Sequence, residues 1–221
     1  ASFSMSSTPK AWAHMLWQTP MLSGLDPASD SDGMRMTSYC YAGSEFNGTR
    51  MATMGVMTHE LGHDIGLPDL YDTQGNWDGL GQHCLMSYGS WGGNYGDSPV
   101  HLDGFFKSWL GWANTKTLTA PGNQPITLNA ANGSNDVLRV NVAGSPEFFV
   151  VENRQQTGFD QGLPGSAGGL AIYHCDGQIL TDQNIRIERG VNDSYWNPGI
   201  QVEEADAPPF ALMSTGDGNR G

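Results

Sequence analysis

The stretch at residues 59–69, HELGHDIGLPD, constrains this chain more than any other part of its sequence. His59 and His63 are four residues apart, so on a helix their imidazoles lie one turn apart on the same face, where both can reach one metal ion. Glu60 lies between them with a carboxylate suited to act on a metal-activated water. A structural helix with two exposed imidazoles is the alternative, and the surrounding residues decide between these interpretations.

The residues around the motif predict a helix over residues 50–65 that ends just after His63. Gly66 suits the left-handed conformation that closes a helix, and Pro68 prevents the helix from resuming. The turn then brings Asp69 back toward an ion bound by the two histidines. Residues at spacings of three and four predict one buried stripe on this helix: Met51, Met54, Thr58, Leu61 and Ile65.

Asp69 is the best candidate for a third ligand. No glutamate occurs between Glu60 and Glu147, which excludes a glutamate ligand from a nearby downstream helix. Asp69 follows His63 by six residues in the extended pattern H-E-x-x-H-x-x-G-x-x-D, in which the turn at Gly66 delivers the third ligand. The competing candidates are Asp64, Asp72 and His83, although Asp72 also suits the capping of a turn or a second cation.

Two imidazoles and one carboxylate favour zinc, since catalytic zinc sites combine three such ligands with an open fourth position. Glu60 is then the general base, because it follows His59 directly and cannot easily bind the same ion. We therefore predict metal-assisted hydrolysis.

The segment CLMSY at residues 84–88 adds a second part of the extended motif. Met86 fits the methionine turn that forms an apolar floor beneath three zinc ligands. Tyr88 is a candidate catalytic residue whose hydroxyl can approach the zinc or a developing oxyanion. Core packing is the alternative for both residues.

The remaining sequence predicts an α+β fold with a catalytic core around the motif helix in residues 1–112 and a β-rich part over residues 113–221; the family resemblance described below implies that this core is zincin/metzincin-like. A second helix is expected after Ser98 as N-cap, with Pro99 in its first turn and Gly111 at its end. Short alternating runs predict upstream strands at residues 11–17 and 37–42, and downstream strands at residues 125–128, 137–142, 148–151, 170–174 and 200–202.

Charge and hydropathy make some classes of binding partner unlikely. A formal net charge of −13 opposes nucleic acid and anionic lipid surfaces. Neither an apolar run long enough for membrane insertion nor a signal peptide is found. The composition favours an exported, extracellular protein.

The cysteines and one acidic loop add two further expectations. Of the three cysteines, Cys40, Cys84 and Cys175, we favour a disulfide between Cys40 and Cys84; the odd count then indicates either a free buried thiol or a partner in a missing piece of the chain. Residues 26–33 cluster three aspartates that can bind calcium, although a solvated loop is the simpler interpretation.

Several motifs together resemble the secreted bacterial zinc metalloproteases related to immune inhibitor A. They extend from about residue 50 to 206: HELGHDIGLPDLYD (59–72), SYGSW (87–91), KSWLGW (107–112), VENRQ (151–155), GFD (158–160) and GLAIYH (169–174). The resemblance implies a zincin-type endopeptidase that acts on proteins or peptides and is made as a precursor, often with structural calcium. It implies His59, His63 and Asp69 as zinc ligands and Glu60 as base. For Glu152 and Arg154 we expect an internal ion pair.

The chain departs from that family upstream of the motif. Only 58 residues precede His59, and they predict two strands and no helix, so we expect an incomplete upstream sheet and a missing remainder of the precursor as a partner. A zinc-stabilised extracellular binding or adhesin module without proteolytic activity is the alternative function. A zinc hydrolase acting on something other than protein is a third possibility.

Overall fold

A computed structural model describes residues 14–17, 38–41, 45–46, 50–119, 122–123, 125–165, 168–182 and 190–203. Nine strands and three α-helices occur within these ranges. In chain order they are β1 (His14–Trp17), β2 (Ser38–Tyr41), β3 (Glu45–Phe46), β4 (Arg50–Met51), α1 (Met54–Asp64), α2 (Gly104–Trp109), β5 (Asn114–Leu118), β6 (Asp136–Asn141), β7 (Glu147–Arg154), β8 (Gly169–Asp176), α3 (Gly177–Thr181) and β9 (Ile200–Val202).

The fold is mixed α+β, and its largest sheet has five strands in the order β5-β6-β7-β8-β9. β5 runs parallel to β6 and the other neighbours are antiparallel. Four predicted downstream strands are confirmed as β6 to β9. The strand predicted at residues 125–128 is wrong, since this segment is irregular. The polar, mostly exposed β5 was missed because its sequence, NTKTL, carries no apolar alternation.

Upstream of α1, the described residues form two short antiparallel pairs, β1 with β2 and β3 with β4. The strands predicted at residues 11–17 and 37–42 are confirmed as β1 and β2. The acidic loop at residues 26–33 lies outside the described residues. Among the described residues, none of the helices has the length and apolar character needed to cross a membrane.

One hydrophobic core contains residues from both sides of residue 112. The ring of Phe105 in α2 lies 5.9 Å from that of Phe148 in β7, so α2 covers one face of the sheet. Leu67, Leu70 and Met86, from the segment after α1, belong to the same core. The segment that follows α1 is therefore packed against the β-rich part of the chain.

The start of α2 differs from the prediction. The helix begins at Gly104, and the side chain of Asp103 accepts hydrogen bonds from the backbone N–H groups of Phe105 and Phe106. Asp103 is therefore the N-cap, and Ser98 is not. The preference for aspartate at an N-cap is as strong as that for serine, so the N-cap preference gives no reason to choose Ser98 over Asp103.

The buried stripe predicted on α1 is wrong. Met51, Met54, Leu61 and Ile65 are exposed, whereas the buried residues of the helix are Gly55, His59, Glu60 and Gly62. A Cβ on Gly55 would lie 1.9 Å from the carbonyl oxygen of Ser90, so only glycine permits this close approach. The helix thus buries its small and polar face and leaves its apolar face outside.

The favoured disulfide between Cys40 and Cys84 is also wrong, because Cys84 is a free, buried thiol. Its Sγ donates a hydrogen bond to Oδ2 of Asp103 at 3.2 Å. A thiol satisfied by the helix cap has no need of a disulfide partner.

Four charged side chains are buried together between α2, β7 and the short 3₁₀ helix at Gly158–Gly162. Nζ of Lys107 contacts Oε2 of Glu152, and Arg154 donates to Oε1 of Glu152 at 3.0 Å, which is the expected ion pair. Arg154 also donates two hydrogen bonds of 2.6 Å to Asp160. Two cations and two anions thereby balance within this set, which we call the buried ion cluster.

Loss of one charge from the buried ion cluster should be costly. Burial acts to raise the pKa of Asp160, but the hydrogen bonds and charge of Arg154 outweigh it and the pKa is lowered. We expect Asp160→Asn to reduce the free energy of unfolding at pH 7 by about 3–5 kcal/mol, the usual cost of breaking a buried pair.

The same variant has a defined pH dependence. A folded-state pKa below the unfolded value of about 3.9 stabilises the protein above that pH, and the stabilisation is lost as the pH falls through the folded pKa. The difference between the natural chain and Asp160→Asn in urea unfolding should therefore shrink below about pH 4. The exposed control Asp97→Asn should change stability by at most about 0.5 kcal/mol; an equal effect of both variants would contradict this account.

Candidate metal centre

Three side chains meet at one point beside α1. Oδ1 of Asp69 lies 3.0 Å from Nε2 of His59 and 3.3 Å from Nε2 of His63. Among the described residues, these three form the one group of histidine, cysteine, aspartate or glutamate side chains arranged to hold a metal ion. Asp64, Asp72 and His83, the competing candidates, do not belong to it.

Backbone carbonyls fix the orientation of both imidazoles. Nδ1 of His59 lies 2.9 Å from the carbonyl oxygen of Leu85, and Nδ1 of His63 lies 2.7 Å from that of Leu67. A carbonyl only accepts hydrogen bonds, so each Nδ1 carries the proton, and in a neutral ring Nε2 keeps its lone pair. Such second contacts are typical of histidines that bind metal.

Oδ1 of Asp69 is buried and has no hydrogen-bond partner among the described residues. With both Nε2 atoms unprotonated, three lone pairs face one another, an arrangement that a bound cation would stabilise. Donors 2.0–2.1 Å from a tetrahedral zinc ion lie about 3.3–3.4 Å apart. The observed separations of 3.0 and 3.3 Å suit such an ion.

The turn after α1 places Asp69 within reach of the helix. Gly66 has a φ of +93°, the left-handed conformation expected from the sequence. The N–H of Leu67 donates to the carbonyl oxygen of Gly62, and that of Leu70 donates to the carbonyl oxygen of Met86. These two hydrogen bonds fix the turn on either side of Asp69.

Glu60 lies on the inner face of α1, and Met86 packs against that face. Glu60 is 6% exposed, and its carboxylate is close enough to His63 and Tyr71 for its charge to influence both side chains. Met86 is fully buried, and a Cβ on Gly62 would lie 2.3 Å from its sulfur. Met86 thus packs directly against the helical turn that separates the two histidines.

Tyr71 is a residue of the centre that sequence analysis missed. Its ring stacks on His59 at 6.3 Å between centroids, and its hydroxyl is close enough to the Asp69 carboxylate to be influenced by its charge. Burial and the charges of Asp69 and Glu60 raise the pKa of Tyr71, so it stays protonated. Its spacing of two from Asp69 was the available signal, because alternate residues of an extended segment share a face.

Tyr88 lies farther from the three side chains. Its ring is 5.7 Å from that of Tyr71, and it reaches the centre only past that residue. Tyr88 is 39% exposed and borders an open cavity of about 460 Å³, together with Asp78, Gln82 and Trp91. None of His59, His63 and Asp69 lines this cavity.

Asp72 has a separate structural role. It is buried, and its two carboxylate oxygens accept hydrogen bonds of 2.8 Å from the backbone N–H groups of Gln74 and Asn76. The expectation that Asp72 caps a turn is confirmed.

Comparison with known proteins agrees with the geometry. Residues 9–115 match the family described as immune inhibitor A peptidase M6, catalytic domain. The chain is 44% identical over 62 residues to the pre-pro-metalloprotease PrtV of Vibrio cholerae serotype O1 (strain M66-2), an alignment that covers 27% of this chain and 7% of PrtV. It is 40% identical over 70 residues to immune inhibitor A of Bacillus thuringiensis subsp. alesti, covering 28% of this chain and 10% of that protein.

The aligned stretches are a small part of these relatives, and the family match ends at residue 115, before β6 begins. Within that range lie α1, the turn at Gly66, Asp69 and Met86. Residues 9–115, just under half of the chain, match the catalytic domain of the immune inhibitor A family of M6 peptidases, and the two relatives above are similar to this chain over short stretches.

Proposed function

We propose that this chain is a zinc-dependent endopeptidase in which His59, His63 and Asp69 hold the metal. The observation that carries the proposal is the buried, unpartnered Oδ1 of Asp69 facing two imidazole nitrogens whose protons are held on their far sides. The match to the M6 family implies a metallopeptidase that uses zinc and cleaves proteins. The donor set of two imidazoles and one carboxylate leaves a fourth position for a reactant.

Glu60 is the proposed general base. When bound, zinc supplies Lewis acidity to a scissile carbonyl and lowers the pKa of water toward about 7. Glu60, which adjoins His59 on the buried face of α1, takes the proton of the attacking water and passes it to the leaving amine. Its low exposure keeps competing bulk water away from this transfer.

The remaining residues support this arrangement. Met86 forms the apolar floor under the metzincin-like centre, where it packs against Gly62. Tyr71 holds Asp69 through its hydroxyl. The proposed role of Tyr88, whose ring lies 5.7 Å from that of Tyr71, is to donate its hydroxyl to a substrate oxyanion.

The natural setting is also a proposal. The pre-pro form in the name of PrtV supports synthesis as a precursor, and with the composition it supports an exported, extracellular enzyme. The zincin-like core over residues 1–112 and the β-rich part over residues 113–221 would act as one peptidase unit with the remainder of the precursor. Calcium at residues 26–33 would be structural.

Removal of the base should separate metal binding from catalysis. We expect Glu60→Gln to keep one equivalent of zinc and to cleave an unfolded protein substrate about 10²–10⁴-fold more slowly, the usual contribution of general acid–base catalysis. Asp69→Ala should lose stoichiometric zinc, measured by metal analysis after dialysis. Glu147→Gln, a change of a half-exposed carboxylate on β7, is the matched control and should cleave normally.

Chelation of the natural chain should abolish cleavage, and added zinc should restore it. Zinc binding without any chelator-sensitive cleavage would contradict the proposal and favour the zinc-stabilised binding module. Full activity of Glu60→Gln would remove Glu60 from the mechanism.

The two tyrosines should affect different measurements. Tyr71→Phe removes a hydrogen bond to a metal ligand and should weaken zinc binding by about 10–100-fold. Tyr88→Phe should leave zinc affinity unchanged and lower kcat by about 10²–10³-fold, as expected for loss of an oxyanion donor. A normal kcat for Tyr88→Phe, measured at saturating zinc, would assign Tyr88 to packing alone.

A further inference from the structure

The buried ion cluster is connected to the candidate metal centre through the segment at residues 83–86. Nη1 of Arg154 donates to the carbonyl oxygen of His83 at 3.0 Å. Arg154 is 3% exposed, and its remaining donors bind Asp160, Glu152 and the hydroxyl of Tyr173. The fixed fork of the guanidinium thus places one backbone carbonyl of this segment relative to β7 and β8.

A second connection runs through Asp160. Its Oδ1 accepts a hydrogen bond of 3.0 Å from the backbone N–H of His101. The carbonyl oxygen of His101 in turn accepts a hydrogen bond of 3.1 Å from the N–H of Leu85. Asp160 is fully buried and is held by two hydrogen bonds from Arg154, so this path has little freedom to move.

Both connections lead to the segment at residues 83–86, whose Leu85 orients a candidate ligand. The carbonyl oxygen of Leu85 accepts the Nδ1 hydrogen of His59 and thereby points Nε2 at Asp69. The hydrogen bond to His83 fixes the backbone two residues before Leu85. The hydrogen bond from the N–H of Leu85 fixes Leu85 itself, one Cα away from its carbonyl group. A shift of this carbonyl would rotate the imidazole away from the shared point.

We propose that Arg154 and Asp160 are positioning residues of the metal centre: they hold the Leu85 carbonyl that sets the tautomer and direction of His59. The β-rich part is therefore a structural component of the centre. This inference rests on the zinc site of the proposed function and adds residues from beyond the family match, which ends at residue 115.

Measuring the zinc affinity of variants tests the inference independently of peptidase activity. Arg154→Lys keeps the positive charge and loses the fork, and Asp160→Asn keeps an oxygen acceptor for His101 and loses the charge. We expect both to bind zinc about 10–100-fold more weakly in competition with a chromogenic chelator, as for other groups that orient a ligand. The visible spectrum of their cobalt(II) forms should shift, since His59 would approach the ion differently.

Lys107→Met is the matched control. It breaks the contact with Glu152 inside the same buried ion cluster, and Lys107 has no side-chain hydrogen bond to residues 83–86 or His101 in the structure. It should lose stability but keep zinc affinity within about threefold of the natural chain and keep the cobalt spectrum. Folded Arg154→Lys and Asp160→Asn with natural zinc affinity would overturn the inference, as would an equal loss of affinity in Lys107→Met.

Hydrogen exchange in the unaltered chain decides the question if a variant does not fold. Zinc should slow exchange of the Leu85 and His101 amides and leave that of Val142, in the turn between β6 and β7, unchanged. Unchanged exchange of the Leu85 and His101 amides would overturn this inference but leave the proposed function standing. Failure of the unaltered chain to bind zinc would overturn the proposed function and this inference with it.

Discussion

The candidate metal centre depends on the close approach of α1 to the segment at residues 84–96. Gly55 and Gly62 provide the space, because a Cβ at either position would collide with Ser90 or Met86. Only at this distance can His59 reach the Leu85 carbonyl, which fixes its proton on Nδ1. Once both imidazoles present lone pairs, Oδ1 of Asp69 faces two further acceptors, and the three atoms are arranged as the ligands of a cation.

This approach also explains the inverted helix. A helix in a globular protein usually buries its apolar stripe, but in α1 the inner face must carry the two functional side chains His59 and Glu60, with glycines beside them. The free-energy cost of burying the polar groups on that face is offset because each has a partner or a ligand to bind. The core is built instead by Leu67, Leu70 and Met86, which follow the helix.

Sequence reasoning succeeded where spacing alone determines geometry. The interval between His59 and His63, the end of α1 shortly before Gly66 and the return of Asp69 all follow from helix periodicity and backbone preference. It failed where the outcome depends on which surface packs against which. Nothing local shows that Met54 and Leu61 lie outside, that Asp103 caps α2 ahead of Ser98, or that Cys84 donates to Asp103.

The contribution of the β-rich part was the least accessible from sequence. Arg154, at the end of β7, and Asp160, in the 3₁₀ helix that follows, are distant in sequence from residues 83–85 and 101, and only tertiary packing brings them together. An internal ion pair was the simple interpretation of the segment at residues 152–154, but the hydrogen bonds to His83 and His101 could not be expected. Burial of four charges is expensive and needs complete pairing, which constrains the loop that they contact.

Zinc-edge X-ray absorption of the chain loaded with one equivalent of zinc tests the central claim most directly. The account predicts a low-coordinate shell of two imidazole nitrogens and oxygen ligands at about 2.0–2.1 Å, with no sulfur. A sulfur scatterer at about 2.3 Å, a single imidazole, or a shell made only of oxygen would contradict it.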